Sequence, residues 1–184
     1  VLVVFGIVAI VMSIDARNTV RDSIKQEQIF FGSADDPAVA EHASQWAEEQ
    51  VLTGDQARAF ALVIRTHALE ASDGLTYAQM GRFISADDPE NLAGTSDEEA
   101  ALKDDEGNPV SNQARNTWVT ATGLSSALNM SYVAENLALF GMVVGVARLL
   151  AGIGFIILAV SVLGAAKASE TDAPAASVVT PVTG

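Results

Sequence analysis

The apolar and polar positions divide the chain into two uncharged blocks and a long polar stretch between them. The first block, 1–14, reads Val-Leu-Val-Val-Phe-Gly-Ile-Val-Ala-Ile-Val-Met-Ser-Ile and carries no charge. The second, 137–166, holds a single charged residue, Arg148. Crossing a hydrocarbon core of ~30 Å takes about 20 helical residues at ~1.5 Å each. The first block covers roughly 21 Å at that rise. It lacks an initiator methionine and is expected to continue upstream. A cleaved signal peptide is the rival reading. Against it, no small-x-small site follows, and the block runs straight into charged helical sequence.

The second block is too long for one crossing, roughly 45 Å as a helix. Lys167 supplies one edge by snorkelling, and counting back about 20 residues puts the other near Arg148. Residues 132–147 then project beyond the lipid and need a partner surface. The competing placement leaves Arg148 at mid-bilayer, where a charge is costly and usually functional. The edge placement is the expectation.

Small residues recur at near-helical spacing along this second helix: Gly123, Ala127, Ser131, Ala138, Gly141, Gly145 and Gly152. Gly141 and Gly145 form a GxxxG, which lets helix backbones approach closely. Beyond the first block, Ala16, Val20, Ile24 and Phe31 recur on one helical face, so that helix is expected to run to about Phe31. Two long helices in an antiparallel hairpin are the simplest arrangement, and it brings Asp15 opposite Arg148 as a polar pair at the membrane edge. The small-residue ridge serves either this hairpin or a contact with another chain.

The intervening sequence is helical in pattern. Asp35-Asp-Pro37 reads as a helix start, with apolar residues around Trp46 between Ala38 and Leu52. Asp55 opens a stronger helix with Ala57, Phe60, Ala61, Ile64, Ala68 and Ala71 on one face. It ends at Ser72-Asp73-Gly74. Residues 75–84 suit a short helix. Residues 85–112 read as acidic loop with at most one short helix near 97–103. Helix resumes near Asn112, and the Ala/Ser/Thr/Pro-rich sequence from Lys167 onward reads as disordered tail. The fold class is therefore all-α: a first transmembrane helix at 1–14, an acidic helical domain at 15–131, a second span with its apolar projection at 132–166, and a tail at 167–184.

Charge sharpens this picture. The net charge is −13, and residues 15–131 hold 20 Asp/Glu against 8 Lys/Arg. Such a surface repels phosphate backbones, which argues against nucleic acid as a partner. The chain has no cysteine, which excludes disulfides, thiolate metal sites and cysteine nucleophiles. Arg17, Arg21 and Lys25 after the first span oppose Lys167 after the second, so the positive-inside rule leaves orientation open.

Catalytic signatures are sparse. His42 and His67 are the only histidines; His67 reads as a packing residue at an apolar helix edge and His42 as solvated. Neither HExxH nor a His/carboxylate facial set is present. Asp104-Asp-Glu-Gly-Asn108 lacks the alternating ligands and terminal Glu of a calcium loop. Glu70 and Asp73 near Tyr77 lack a nucleophile at defined spacing. Arg115 and Trp118, one turn apart, suit a cation–π pair, and Trp118 equally suits a core position beneath the acidic loop. No catalytic residue, cofactor or metal is expected, and the chain reads as a non-enzyme.

Gln56-Ala57, Ile64-Arg-Thr-His67, Gly74-Leu-Thr-Tyr77 and Arg115-Asn-Thr-Trp118, with Thr122-Gly-Leu124 and Leu128, resemble a family of actinobacterial two-span membrane proteins without an assigned activity. The resemblance touches most of the chain from Val20 to the second span. It implies a small helical extracytoplasmic domain and a place in the bacterial cell membrane. Some relatives carry a label as aromatic ring-opening dioxygenases, which need iron held by histidines and a carboxylate. Two unclustered histidines argue against that label. The leading expectation is a non-catalytic accessory or assembly subunit of a larger membrane complex, in contact with lipid and other membrane subunits. A structural homo-oligomer is the closest rival. A sensor module is the third reading and requires a pocket around His67, Tyr77 and Trp118.

Overall fold

The computed structural model describes residues 1–171, with side chains through Gly164. Four α-helices follow in order: α1 (Leu2–Gln26), α2 (Pro37–His42), α3 (Gly54–Ala71) and α4 (Gln113–Thr171). Single 3-10 turns lie at Ser44–Trp46 and Tyr77–Gln79. No strand is present among the described residues, only isolated bridges. At ~1.5 Å per residue, the 59 residues of α4 extend roughly 88 Å and the 25 of α1 roughly 37 Å. α4 runs through Lys167 to Thr171, into the stretch expected as tail; residues 172–184 lie outside the described residues.

α1 and the stretch Gln113–Gly164 are long and apolar enough to cross a membrane. Only 11% of the most apolar window of each is buried, so protein core does not account for their hydrophobicity. The contacts divide the chain into two compact units, one of Val1–Met12 with the sequence from Gly141, the other Ser13–Phe140.

In the 13–140 unit, α1 stops at Gln26, short of the Phe31 expected from its periodicity. Gln28 takes a left-handed φ of 51°, which an α-helix cannot continue through. The chain then extends. Phe31 N–H donates to Glu49 O and Val51 N–H to Ile29 O, both at 2.9 Å. Phe31 is still buried, stacked on Trp46 at 6.0 Å and edge-on to Phe60 at 5.4 Å.

α2 begins as its sequence indicates. Asp36 is the N-cap, accepting from Ala38 and Val39 N–H, and Pro37 follows. The region to Leu52 is otherwise a 3-10 turn and extended chain. α3 opens one residue before Asp55, on a reciprocal Thr53/Gln56 capping box. It closes where Gly74 N–H reaches Leu69 O at 2.7 Å, with Asp73 and Gly74 both at positive φ. Ala57, Ala61 and Ala68 are buried on the expected face, but Gln56, Ala59 and Val63 are buried on the other, and Ala71 is exposed. α3 is therefore the central helix, and its many alanines let neighbours approach from both sides.

The expected helix at 75–84 is only the turn Tyr77–Gln79, and no helix forms at 97–103. The acidic segment is instead closed by backbone pairing. Ile84 N–H donates to Val110 O at 2.9 Å, Val110 N–H to Leu102 O at 2.8 Å, and Leu102 N–H to Ile84 O at 2.8 Å. This three-membered ring brings distant stretches together without a strand. A Cβ at Gly81 would lie 2.3 Å from the Thr95 carbonyl carbon, and Gly94 has a φ of +57° against Phe83 O, so both turns need glycine. Asn112, buried, ties this cap to α4. Its amide donates to Leu92 O at 2.8 Å and its Oδ1 accepts from Arg115 N–H at 3.3 Å.

Candidate functional site

The most concentrated polar arrangement of the 13–140 unit joins three helices. Arg17 and Arg21 sit one turn apart on α1, so both guanidinium groups leave the same face. Each donates to Glu135 Oε1 on α4, Arg17 at 2.9 Å and Arg21 at 2.7 Å. Glu135 Oε2 accepts the N–H of Gly54, the first residue of α3. The first N–H groups of a helix lack intrahelical partners and carry its positive dipole end. A Cβ on Gly54 would lie 3.0 Å from Tyr132 Cα and 3.1 Å from Glu135 Oε2, so a side chain there would press α4 back by a few tenths of an ångström. Burial works to raise the Glu135 carboxyl. The Gly54 N–H and the two guanidinium groups outweigh it and hold the group below the usual carboxylate range. Both oxygens are committed, so the arrangement acts as a clasp, with Asp55 and Asn136 on the rim of the crevice beside it.

The two histidines bridge α2 and α3. His42 is half-buried, not solvated, with Nε2 at 3.0 Å from Thr66 Oγ1. His67 Nε2 lies 3.1 Å from Asp36 Oδ2, on the residue that caps α2. Burial opposes the charge on Asp36, but the His67 ring and the Ala38 and Val39 amides prevail and lower its pKa. A carboxyl depressed by folding adds stability above its unfolded value near 4, lost as the pH falls through the lower folded value. Asp36 and Glu135 act in the same sense. Thermal unfolding is expected to move to lower temperature as the pH drops below about 4. A double variant Asp36→Asn/Glu135→Gln should lose much of that slope. An unchanged acid slope in that variant would contradict the assignment.

Among the described residues, no group of three or more His, Asp or Glu is arranged to hold a metal. Asp104 is engaged by its own hairpin. Its Oδ1 accepts the N–H of Glu106 and Asn108, while Gly107 N–H reaches Asp104 O with φ +84°. This is a type I turn closed by a glycine bulge. The expected Arg115–Trp118 pair does not form. Arg115 lies over Tyr77 at 4.1 Å and Arg65 over Trp118 at 5.4 Å. Trp118 is buried against Ala68 and Met80, so His67, Tyr77 and Trp118 each face different partners.

In the other unit, glycines set the approach of α1 to α4. A Cβ on Gly6 would lie 2.7 Å from Leu149 N and 2.8 Å from Gly145 O. One on Gly145 would lie 3.0 Å from Ile10 N, and one on Gly152 2.9 Å from Val3 N. Numbers rise along α1 as they fall along α4. This register sets Arg148 level with Ile7; Asp15 belongs to the 13–140 unit.

The proposed ridge therefore divides. Gly145 and Gly152 are filled by α1, while Ala138 is buried and Gly141 half-buried in their own surroundings. Gly123 faces open space. Ala127 and Ser131 line a shallow apolar groove of about 270 Å³ with Ile24, Ile29 and Leu124. Sequence reasoning passed over Glu135, Gly6 and Gly54. Glu135 carried a signal, as the one charged residue between Arg115 and Arg148. No family model matches the chain, and no curated protein or solved structure matches it either.

Proposed function

We propose that the chain is a non-catalytic, membrane-anchored accessory or assembly subunit of a larger membrane complex in an actinobacterial cell membrane. In this reading the two apolar helices are spans of an antiparallel hairpin, and the acidic helical domain inserted between them is extracytoplasmic. The resemblance to two-span envelope proteins supports that orientation. Arg17 and Arg21 count against it, but a long inserted domain crosses largely regardless of such charges.

One observation carries the reading. Within the 13–140 unit, Met130, Val133, Leu137 and Phe140 follow one another at spacings of three and four along α4, and all are more than half exposed, 70%, 56%, 67% and 65%. A soluble surface does not keep such a stripe uncovered. A second helix is the natural cover for side chains at that spacing. A structural homo-oligomer uses the same stripe with another copy. A sensor reading draws little support, because the pocket beside Trp118 includes neither His67 nor Tyr77, and His67 is bound to Asp36.

Gentle detergent extraction of the tagged full chain from its native membrane, followed by mass spectrometry, separates the readings. Other membrane proteins at fixed stoichiometry are expected. Recovery of this chain alone, as a discrete multimer, would replace the accessory role with the homo-oligomer.

A further inference from the structure

Arg148 stands out because of the register of the glycine contacts. With Gly6 on Leu149 and Gly145 on Ile10, Arg148 is level with Ile7, inside the uncharged block 1–14. Along α1 the first charge is Asp15, eight residues beyond Ile7 in sequence. In the other direction α4 has no charge before Lys167, roughly 28 Å on. The membrane-edge position expected for Arg148 would leave Ile7, Val8, Val11 and Met12, all exposed, outside the lipid. Placing the edge near Asp15 keeps them inside and takes Arg148 in with them.

Arg148 is exposed and has no salt bridge among the described residues. It shares a helical face with Val144, Ala151, Phe155 and Val162, of which Phe155 and Val162 are 62% and 59% exposed. Gly145 and Gly152, on the neighbouring face, are already occupied by α1. An unpaired guanidinium in lipid is costly, and such residues pair with an opposite charge. A second copy is a poor occupant. Both copies enter the membrane in the same sense, so a two-fold pair of α4 helices on this face sets Arg148 against its own counterpart.

We propose that Arg148 lies within the bilayer and docks a transmembrane helix of a different subunit, one presenting an Asp or Glu carboxylate at that depth. This rests on the accessory-subunit reading and names the chemistry of the partner. Val144, Ala151, Phe155 and Val162 form the apolar surround of the ion pair.

The test places a benzophenone amino acid at Phe155, on this face, or at Leu150, on another exposed face, in the full chain within its native membrane. Light should crosslink the Phe155 probe to one membrane protein, through a helix containing Asp or Glu, and the Leu150 probe should not capture it. Arg148→Met should lower that crosslink at least tenfold and Arg148→Lys should retain most of it. Replacing the partner's carboxylate by its amide should reproduce the methionine effect. Arg148→Met should also raise the membrane-inserted fraction of the chain expressed alone, a gain that general misfolding would not produce. Capture of a second copy, a crosslinked helix without a carboxylate, or unchanged insertion overturns the proposal. A partner that co-purifies and crosslinks undiminished after Arg148→Met overturns it while the accessory role stands. Absence of any partner at fixed stoichiometry removes both.

Discussion

Glu135→Ala is expected to destabilise the chain by about 3 kcal/mol, the low end for removing one member of a buried ion pair. Glu135 is only 8% exposed, so its desolvation has been met by folding. Without it, the Gly54 N–H is left in a buried crevice with no acceptor, and two arginines face each other across one turn. The low end applies because the arginine side chains are 38% and 37% exposed, and water recovers part of their loss. Glu135→Gln keeps an acceptor for Gly54 and should cost less. Adding Arg17→Met and Arg21→Met to Glu135→Ala should recover part of the loss, because the repulsion goes with them. Thermal and chemical unfolding in detergent, followed by circular dichroism, measures all of these. If Glu135→Ala unfolds within about 0.5 kcal/mol of the parent, the clasp is a surface ion pair without structural weight.

Gly6→Ala and Gly145→Ala should each open the contact between the two apolar helices. The atoms a methyl group would meet are backbone for Gly6, Leu149 N and Gly145 O, and for Gly145 the Ile10 Cγ1 together with backbone Gly6 O and Ile10 N. Backbone cannot rotate away, so the helices must separate, at a cost of about 1–3 kcal/mol typical of overpacking. Gly154→Ala is the control. Its Cβ meets nothing within 4 Å, and alanine should gain up to about 1 kcal/mol from helix propensity. The chain has no cysteine, so paired nitroxides at Phe5 and Leu150 can be introduced without background. Their distance distribution should lengthen and broaden in Gly6→Ala and Gly145→Ala and stay narrow in Gly154→Ala. A distribution unmoved by either seam substitution would show that the close approach is not held in the bilayer.

Much of the helical skeleton was legible from residue types. Asp36-Pro37 and Ser72-Asp73-Gly74 carry their own start and stop chemistry, because caps act on the backbone within a few residues; the Thr53/Gln56 box opens α3 one residue before the Asp55 start expected. The uncharged blocks were equally plain, since hydropathy over about 20 residues is a sum and tolerates local error. What failed were the short apolar stretches after Gln26 and around Trp46 and Tyr77. Phe31 is buried as the periodicity indicated and Trp46 is half-buried against it, but in extended chain and a 3-10 turn. Burial alone does not distinguish those states from a helix.

The candidate site was less legible for a related reason. Glu135 gained its meaning from Arg17, Arg21 and Gly54, which are far from it in sequence and carry no shared motif. The ridge from Gly123 to Gly152 looked continuous because spacing marks which residues share a face, not what meets them. By itself, the sequence determined the start of α2 and the stop of α3, the two membrane-length apolar helices, the acidity of the region between them and the absence of thiol chemistry. Each follows from local backbone preferences or from summed composition. Only the tertiary structure decided which small residues are occupied, that Glu135 is the hub of the clasp, and that Arg148 stands level with Ile7. Those depend on the register of one helix against another, and register is set by contacts between residues 81 or more positions apart.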